Sequence, residues 1–271
     1  MTAIRRSDYD VTNTVQVSSA AAVHAAVESL FAATWPDAPL DPVAHAFDYF
    51  RRLFNGEAPG FHGVDTVYHD RQHTLDITLA AARLIVGYER KQATDATRLG
   101  GERAVAGLLT ALFHDVGYLR ETQDTSATNG AEFTRNHVSR GARFLAGYLP
   151  QIGLGGWTGI VGEIIHFTGY EKSFAQILTS DPRDRRMGYL LGTADMMAQM
   201  ADRCYLEKCR DRLYPEFVLG GVAVSVDAAG SRGVRYASGL DLLRQTPGFM
   251  EDVRRKRLDA AFDRAYRYLE P

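Results

Sequence analysis

Residues 68–88 read YHDRQHTLDITLAAARLIVGY. Leu75, Leu79, Ala82 and the pair Ile85–Val86 recur at three- and four-residue steps, the spacing that aligns one face of an α-helix. The stretch has no proline and no glycine before Gly87, so nothing interrupts a helix that begins near Asp65 or Tyr68 and runs to about Glu89. At its start His69 and His73 stand four apart and share a face, and Asp76 follows three residues further along it.

Working outward, the same periodicity returns on both sides. AAAVHAAVESLFAA, from Ala20, is rich in helix formers, and PVAHAFDYFRRLF, ending at Phe54, reads as a helix opened by a proline. GERAVAGLLTALF (101–113) is the most apolar helix and therefore central; it runs directly into HDVGY (114–118). Residues 131–149 and 158–167 read as helices separated by the GLGG turn, residues 184–214 as a long helical region, and the tail from Gly248 as helical again. Residues 218–239, glycine-rich with some β-branched side chains, predict a loop or a short hairpin that serves as a lid over a site or as a passive surface loop. Strands do not alternate with helices. The expected architecture is all-α, a single-domain helical bundle over residues 19–271, preceded by a loose polar arm at residues 1–18.

Composition narrows the function. The chain has 271 residues, 45% of them hydrophobic and 24% charged, and a formal net charge of −2. That balance fits a globular protein and offers no broad basic field for nucleic acid or an anionic membrane, so neither is expected as a partner. No apolar run reaches membrane-spanning length, and the N-terminus lacks the apolar core of a signal peptide. The two cysteines, Cys204 and Cys209, read as packing residues of a protein in a reducing compartment, and a cytoplasmic location is expected.

Five of the eight histidines are candidates for a metal site: His69, His73, His114, His137 and His166. The His69–His73 pair by itself fits two surface histidines as well as a metal site. His114–Asp115 is more informative, because two adjacent polar residues at the end of the most apolar helix come to the edge of the core, where an unpaired charge is costly. A carboxylate there can bridge two cations, which an imidazole cannot; a capping role for HDVG is the alternative. Asp195, inside LLGTADMMAQM, is an acid among apolar residues and needs a cation or a cluster of donors as partner.

Together these residues resemble the HD superfamily of metal-dependent phosphohydrolases. His73, His114–Asp115 and Asp195 follow the order of its H…HD…D signature. Tyr68 to Asp76, Ala111 to Val116, Ala194-Asp195-Met196 and Pro215-Glu216-Phe217 are similar to segments of class I cyclic-nucleotide phosphodiesterases, and Gln245 to Met250 resembles their nucleobase-binding segment. The resemblance implies that His73, His114, Asp115 and Asp195 hold a first divalent cation, that Asp115 bridges to a second, and that His69 protonates the leaving oxygen while Asp76 supports a histidine from behind. His137 and His166 match the order H…HD…H…H…D of members that hold both cations entirely by protein, where they would bind the second. The implied cofactors are two divalent metal ions (Mn, Fe, Zn or Mg), and the implied substrate is a small phosphorylated compound, possibly a nucleotide, hydrolysed by metal-activated water.

Gln245, Phe249 and Arg140 are expected at the substrate, with Arg71 and Arg120 as further phosphate-binding candidates. Tyr118 stands where many two-iron oxygenases and cyclic dinucleotide hydrolases of the superfamily carry a lysine. A phosphodiester such as a cyclic nucleotide is the favoured substrate; a phosphomonoesterase, a di-iron oxygenase and a silent ligand-binding module on the same scaffold are the alternatives. The sequence leaves the oligomeric state open.

Overall fold

The computed structural model describes residues 8–226 and 232–269. Residues 1–7 of the expected arm, 227–231 of the glycine-rich segment and 270–271 of the tail lie outside the described residues.

The first and third helices start where a side chain takes up a free N–H group; the second opens at a proline and the fourth after a glycine. Ser19 accepts from the backbone N–H of Ala22 at 3.2 Å and opens α1 (Ala20–Thr34), which buries Val23, Val27 and Phe31. Pro42 occupies the first turn of α2 (Asp41–Phe54). Asp70 accepts from the N–H of His73 at 2.9 Å and fixes the start of α3 (Arg71–Arg90), a few residues later than the apolar pattern alone suggests. Gly100, at φ 75°, turns the chain into α4 (Gly101–Leu112), whose residues 104–112 are all buried.

α5 (His137–Tyr148) and α6 (Thr158–Ile164) follow. Asp181 accepts from the N–H of Arg183 and Pro182 opens α7 (Pro182–Ala201). α3 packs against α1, α4 and α7, and α4 packs in turn against α2, α6 and α7. α4 and α7 meet through Gly107: a Cβ there would lie 2.2 Å from the sulfur of Met187, so a side chain at this position would push the methionine aside. Leu75, Leu79, Leu84 and Ile85 of α3 are at most 1% exposed. Burying each of them contributes roughly 1.5–3 kcal/mol, which fixes the face of α3 that its pattern defines.

The helical region expected over residues 184–214 is interrupted. α7 stops at Ala201 because the Asp202 side chain accepts from the N–H of Cys204 and pairs with Lys208. Beyond it come α8 (Tyr205–Lys208), a π-helical turn over Cys209–Leu213, and α9 (Tyr214–Leu219). The glycine-rich segment forms a short antiparallel hairpin of β1 (Val224–Val226) and β2 (Arg232–Val234). α10 (Gly239–Asp252), a π-helical stretch over Val253–Ala261 and a final turn over Ala265–Tyr268 close the described chain. The fold is therefore all-helical apart from the hairpin.

Tyr68, Tyr205, Cys209, Leu213, Ala223, Tyr236 and Leu242 form a second, smaller apolar cluster, and Met200 packs against both it and the main core. It supports the chain where α3 begins. No helix of the described residues is long and apolar enough to cross a membrane.

The polar arm departs from expectation within its described part. Asp10 is 2% exposed, accepts from the N–H groups of Thr14 and Val15 at 2.9 Å, and pairs with Arg83 of α3 at 2.8 Å. Arg203 donates to the carbonyls of Asp10 and Val11. Residues 8–18 are docked on α3 and the end of α7 rather than loose, because one buried carboxylate gathers their backbone N–H groups against an arginine.

Candidate metal centre

The site forms where the start of α3, the end of α4 and the middle of α7 meet. Ligand atoms of His73, His114 and Asp195 lie within 4.8 Å of one another, and so do those of His69, His73 and Asp115. Asp115 is at the centre. His73 Nε2 is 3.6 Å and His114 Nε2 3.1 Å from its Oδ2, and His137 Nε2 is 3.7 Å from its Oδ1. One carboxylate thus turns one oxygen to His73 and His114 and the other to His137, the disposition of a group that can bridge two cations.

Hydrogen bonds on the far side of the rings set which nitrogen faces the centre. His114 Nδ1 donates to the carbonyl of Ala111 at 2.7 Å, and His137 Nδ1 donates to that of Thr134 at 2.9 Å. A carbonyl can only accept, so each Nδ1 carries the proton and a neutral ring presents its lone pair at Nε2. His114 Nε2 and Asp115 Oδ2 are buried and have no hydrogen-bond partner. Left bare, these two atoms 3.1 Å apart would be costly in a core; a proton on His114 Nε2 or a divalent cation in its place joins them. The residues present fit a divalent metal.

The electrostatics agree with that donor set at His73 and His137, whereas in the metal-free chain His114 is held protonated by Asp115. Burial pushes the imidazoles of His73 and His137 down, which keeps them neutral, the form that binds metal. Burial acts on His114 in the same direction, but Asp115 outweighs it and raises this ring to about 9. Burial would also raise Asp115, yet His114 and the neighbouring rings hold its carboxyl far below the usual carboxylate range. Asp195, 7% exposed, is pushed up to about 6 by burial, with His114 pulling the other way.

His69 has a different partner. Its Nδ1 contacts Glu216 Oε1, and Glu216 Oε2 accepts from the backbone N–H groups of Tyr68 at 2.8 Å and His69 at 3.3 Å. Burial lowers the His69 ring, but Glu216 first and Asp115 second raise it to about 9, so it is protonated at neutral pH. No family model, curated protein or solved structure matches the chain. The chemistry of the centre therefore rests on its own geometry.

Several expected residues stand elsewhere. Asp76 supports no histidine through any hydrogen bond among the described residues. It lines a cavity of about 60 Å³ with Asp10, Arg83 and Asp202, and burial together with Asp202 raises its carboxyl to about 7. His166 is buried on the turn that follows α6 with Nδ1 unpartnered, but it belongs to neither converging group, and the charges that act on it most are Lys172, Glu171 and Glu163. Arg257 holds that turn by donating to the carbonyls of Phe167 and Gly169.

Arg140 is committed to structure: it donates to the carbonyls of Gly117 at 2.8 Å and Leu119 at 3.0 Å and lies over the Phe133 ring. It holds the turn after His114–Asp115. Gln245, exposed on α10, donates to Arg235 O and Asp241, and Phe249 is 36% exposed. Among the described residues neither touches the histidine–aspartate cluster. Of the two further arginines, Arg71 donates to Asn55 and Arg120 pairs with Asp65.

Two residues outside the expected set position the site. Glu216 was legible only as part of a short motif, and its partner lies 147 residues away. Glu171 accepts from the N–H groups of Val138 and Ser139 at 2.7 and 3.0 Å and so caps α5, placing His137 in its first turn. The sequence carries no local sign of that cap, since Asn136, the residue before the helix, makes no side-chain cap bond.

Proposed function

We propose that the protein is a metal-dependent phosphohydrolase of the HD type, acting on a small phosphate ester, with a phosphodiester such as a cyclic nucleotide favoured. The observation that carries this is the arrangement around Asp115, whose two oxygens face three imidazole Nε2 atoms while the far nitrogens of His114 and His137 are spent on carbonyls. His73, His114, Asp115 and Asp195 would hold one divalent cation, and Asp115 with His137 the second. Held there, they would supply a water of lowered pKa and positive charge for the phosphoryl oxygens.

The chain's own groups do the rest. His69 carries the proton for the leaving oxygen at Nε2, because its Nδ1–H is tied to Glu216 and cannot turn away. Glu216 keeps that proton in place at neutral pH. Asp115 and Asp195 supply negative charge to a site that is otherwise imidazole, a mixed set that accepts Mn, Fe, Zn or Mg without selecting among them.

The test is elemental analysis of purified protein together with hydrolysis assays on cyclic nucleotides, linear phosphodiesters and nucleoside monophosphates. One to two cations per chain are expected, reduced in His73→Ala and Asp195→Asn, with turnover of one ester class. A chain that takes up no divalent metal, or whose hydrolysis survives both substitutions, refutes the reading.

A further inference from the structure

Three groups of the centre are placed by local means. His73 lies in the first turn of α3, which Asp70 caps from three residues away; the His114 ring is turned by the carbonyl of Ala111, three residues before it; and Asp195 lies inside α7. His137 is different. It opens α5, and Asn136 before it makes no cap bond. The free N–H groups of Val138 and Ser139 are taken up instead by Glu171, at 2.7 and 3.0 Å, and the Ser139 hydroxyl donates to the same carboxylate. The cap of this helix comes from 33 residues further along the chain.

Glu171 is carried by a stretch that is itself fastened. Residues 165–171 leave α6 as a turn over Ile165–Phe167 and run against the start of α5, where a Cβ on Gly169 would lie 2.5 Å from Cγ2 of Val138. Arg257, in the π-helical stretch over Val253–Ala261, donates through Nη2 to Gly169 O at 2.6 Å and to Phe167 O at 3.3 Å, and its guanidinium lies 4.1 Å from the centre of the Tyr170 ring. Arg257 is 6% exposed and forms no ion pair with a carboxylate among the described residues. A buried guanidinium is costly to desolvate. What it returns here is one nitrogen that fixes two carbonyls of a single turn, on a π-helical stretch of the kind that recurs at functional sites.

We propose that residues 165–171 are a strap that Arg257 fastens and Glu171 closes on α5, so that the setting of His137, and with it the second cation position, depends on the C-terminal π-helical stretch while the first position does not. The cation rests on the phosphohydrolase reading; the strap rests on the hydrogen bonds alone. Arg140, one turn further along α5, ties that helix to the turn after His114–Asp115, so the strap governs the first turn of α5 and not the docking of the whole helix. Glu171 and Arg257 act through His137 and are positioning residues.

The test uses the full chain and the variants Glu171→Ala, Arg257→Met and Arg257→Lys. In metal-free protein the N–H groups of Val138 and Ser139 are expected to exchange slowly with solvent in the native chain. In Glu171→Ala and Arg257→Met they should exchange roughly 5- to 30-fold faster, the range that a lost helix cap implies, while the His73 N–H, capped by Asp70, is unchanged. Arg257→Lys keeps a cationic donor and should recover part of the protection. Titration with Mn2+ should show a first equivalent held as in the native chain and a second weakened on the order of 10- to 100-fold. The positive charge of Arg257 acts on Asp195, so its loss favours a cation beside that acid and cannot imitate the expected weakening.

Slow exchange at Val138 and Ser139 in Arg257→Met, or a loss of affinity shared equally by both cations, overturns the proposal. Glu171 is only half-buried, so its alanine variant tests the closing bond even where Arg257→Met fails to fold: an unchanged second affinity there refutes the strap. A native chain that binds a single cation overturns the link to a second position. A native chain that binds none overturns the phosphohydrolase reading instead, and amide exchange in the metal-free protein then still decides whether the strap holds α5.

Discussion

Replacing Glu216 by glutamine removes one charge and almost no volume from a carboxylate that is 1% exposed. One amide oxygen can still accept from the N–H groups of Tyr68 and His69, so the local backbone keeps its anchor. What is lost is the anion facing His69 Nδ1. Raising that ring from 6.5 to about 9 corresponds to roughly 3 kcal/mol of preference for the protonated form, and Glu216 is the largest contributor to the rise.

The sign follows from linkage. A histidine whose folded value is raised stabilises the fold fully below its unfolded value near 6.5, and that contribution disappears as pH climbs through about 9. Glu216→Gln is therefore expected to cost about 2–3 kcal/mol in urea denaturation of the metal-free protein at pH 6, with the gap to the native chain closing above about pH 9. His114, raised by Asp115 and not by Glu216, titrates over the same range in both proteins and drops out of the difference.

On the phosphohydrolase proposal, turnover gives a second test of the same perturbation. If His69 returns to its ordinary value, its protonated fraction at pH 8 falls from about nine-tenths to about 3%, a roughly 30-fold loss of the acid form. A stability gap that is constant across pH, or a His69 resonance that titrates near 6.5 in the native chain, refutes the assignment of Glu216 as the partner that charges His69.

Asp76→Asn tests the carboxylate that turned away from the histidines. Its raised value means that stability is greatest below about pH 4 and is lost as pH rises through about 7, so the amide should be more stable than the native chain at pH 8 by roughly 2 kcal/mol, with no gain at pH 4, in denaturation measured at both. Gly117→Ala would place a Cβ 1.8 Å from the carbonyl oxygen of His137, an atom of rigid helical backbone. A loss above about 3 kcal/mol and reduced cation uptake are expected; a thermal midpoint close to the native one would show that the turn and α5 are not locked together.

The positions of the chemistry were legible because they depend on local order. Two histidines four apart at a helix start, a His–Asp pair closing the most apolar helix, and an acid inside an apolar helix each mark a polar group that the core must accommodate, and His73, His114, Asp115 and Asp195 do converge. Asp76 misled because spacing along a helix gives the face and not the neighbour: it meets Asp202 and Arg83 where the arm and the end of α7 close over it. Arg140, which in sequence reads as a free arginine, is tied in the fold to two carbonyls that the sequence does not single out.

The amino-acid pattern by itself determined that helices dominate, which of their faces are buried, and which side chains are too polar for the places that burial gives them. Apolar periodicity and turn residues act over a few positions and need no partner to be read. Only the tertiary structure decided who meets whom: that Glu216 charges His69, that Glu171 caps the helix of His137, and that Tyr118 packs against the rings of His69 and His137. Those pairings join segments tens to more than a hundred residues apart, and no local signal encodes them because their energy exists only once the core has packed and water has left.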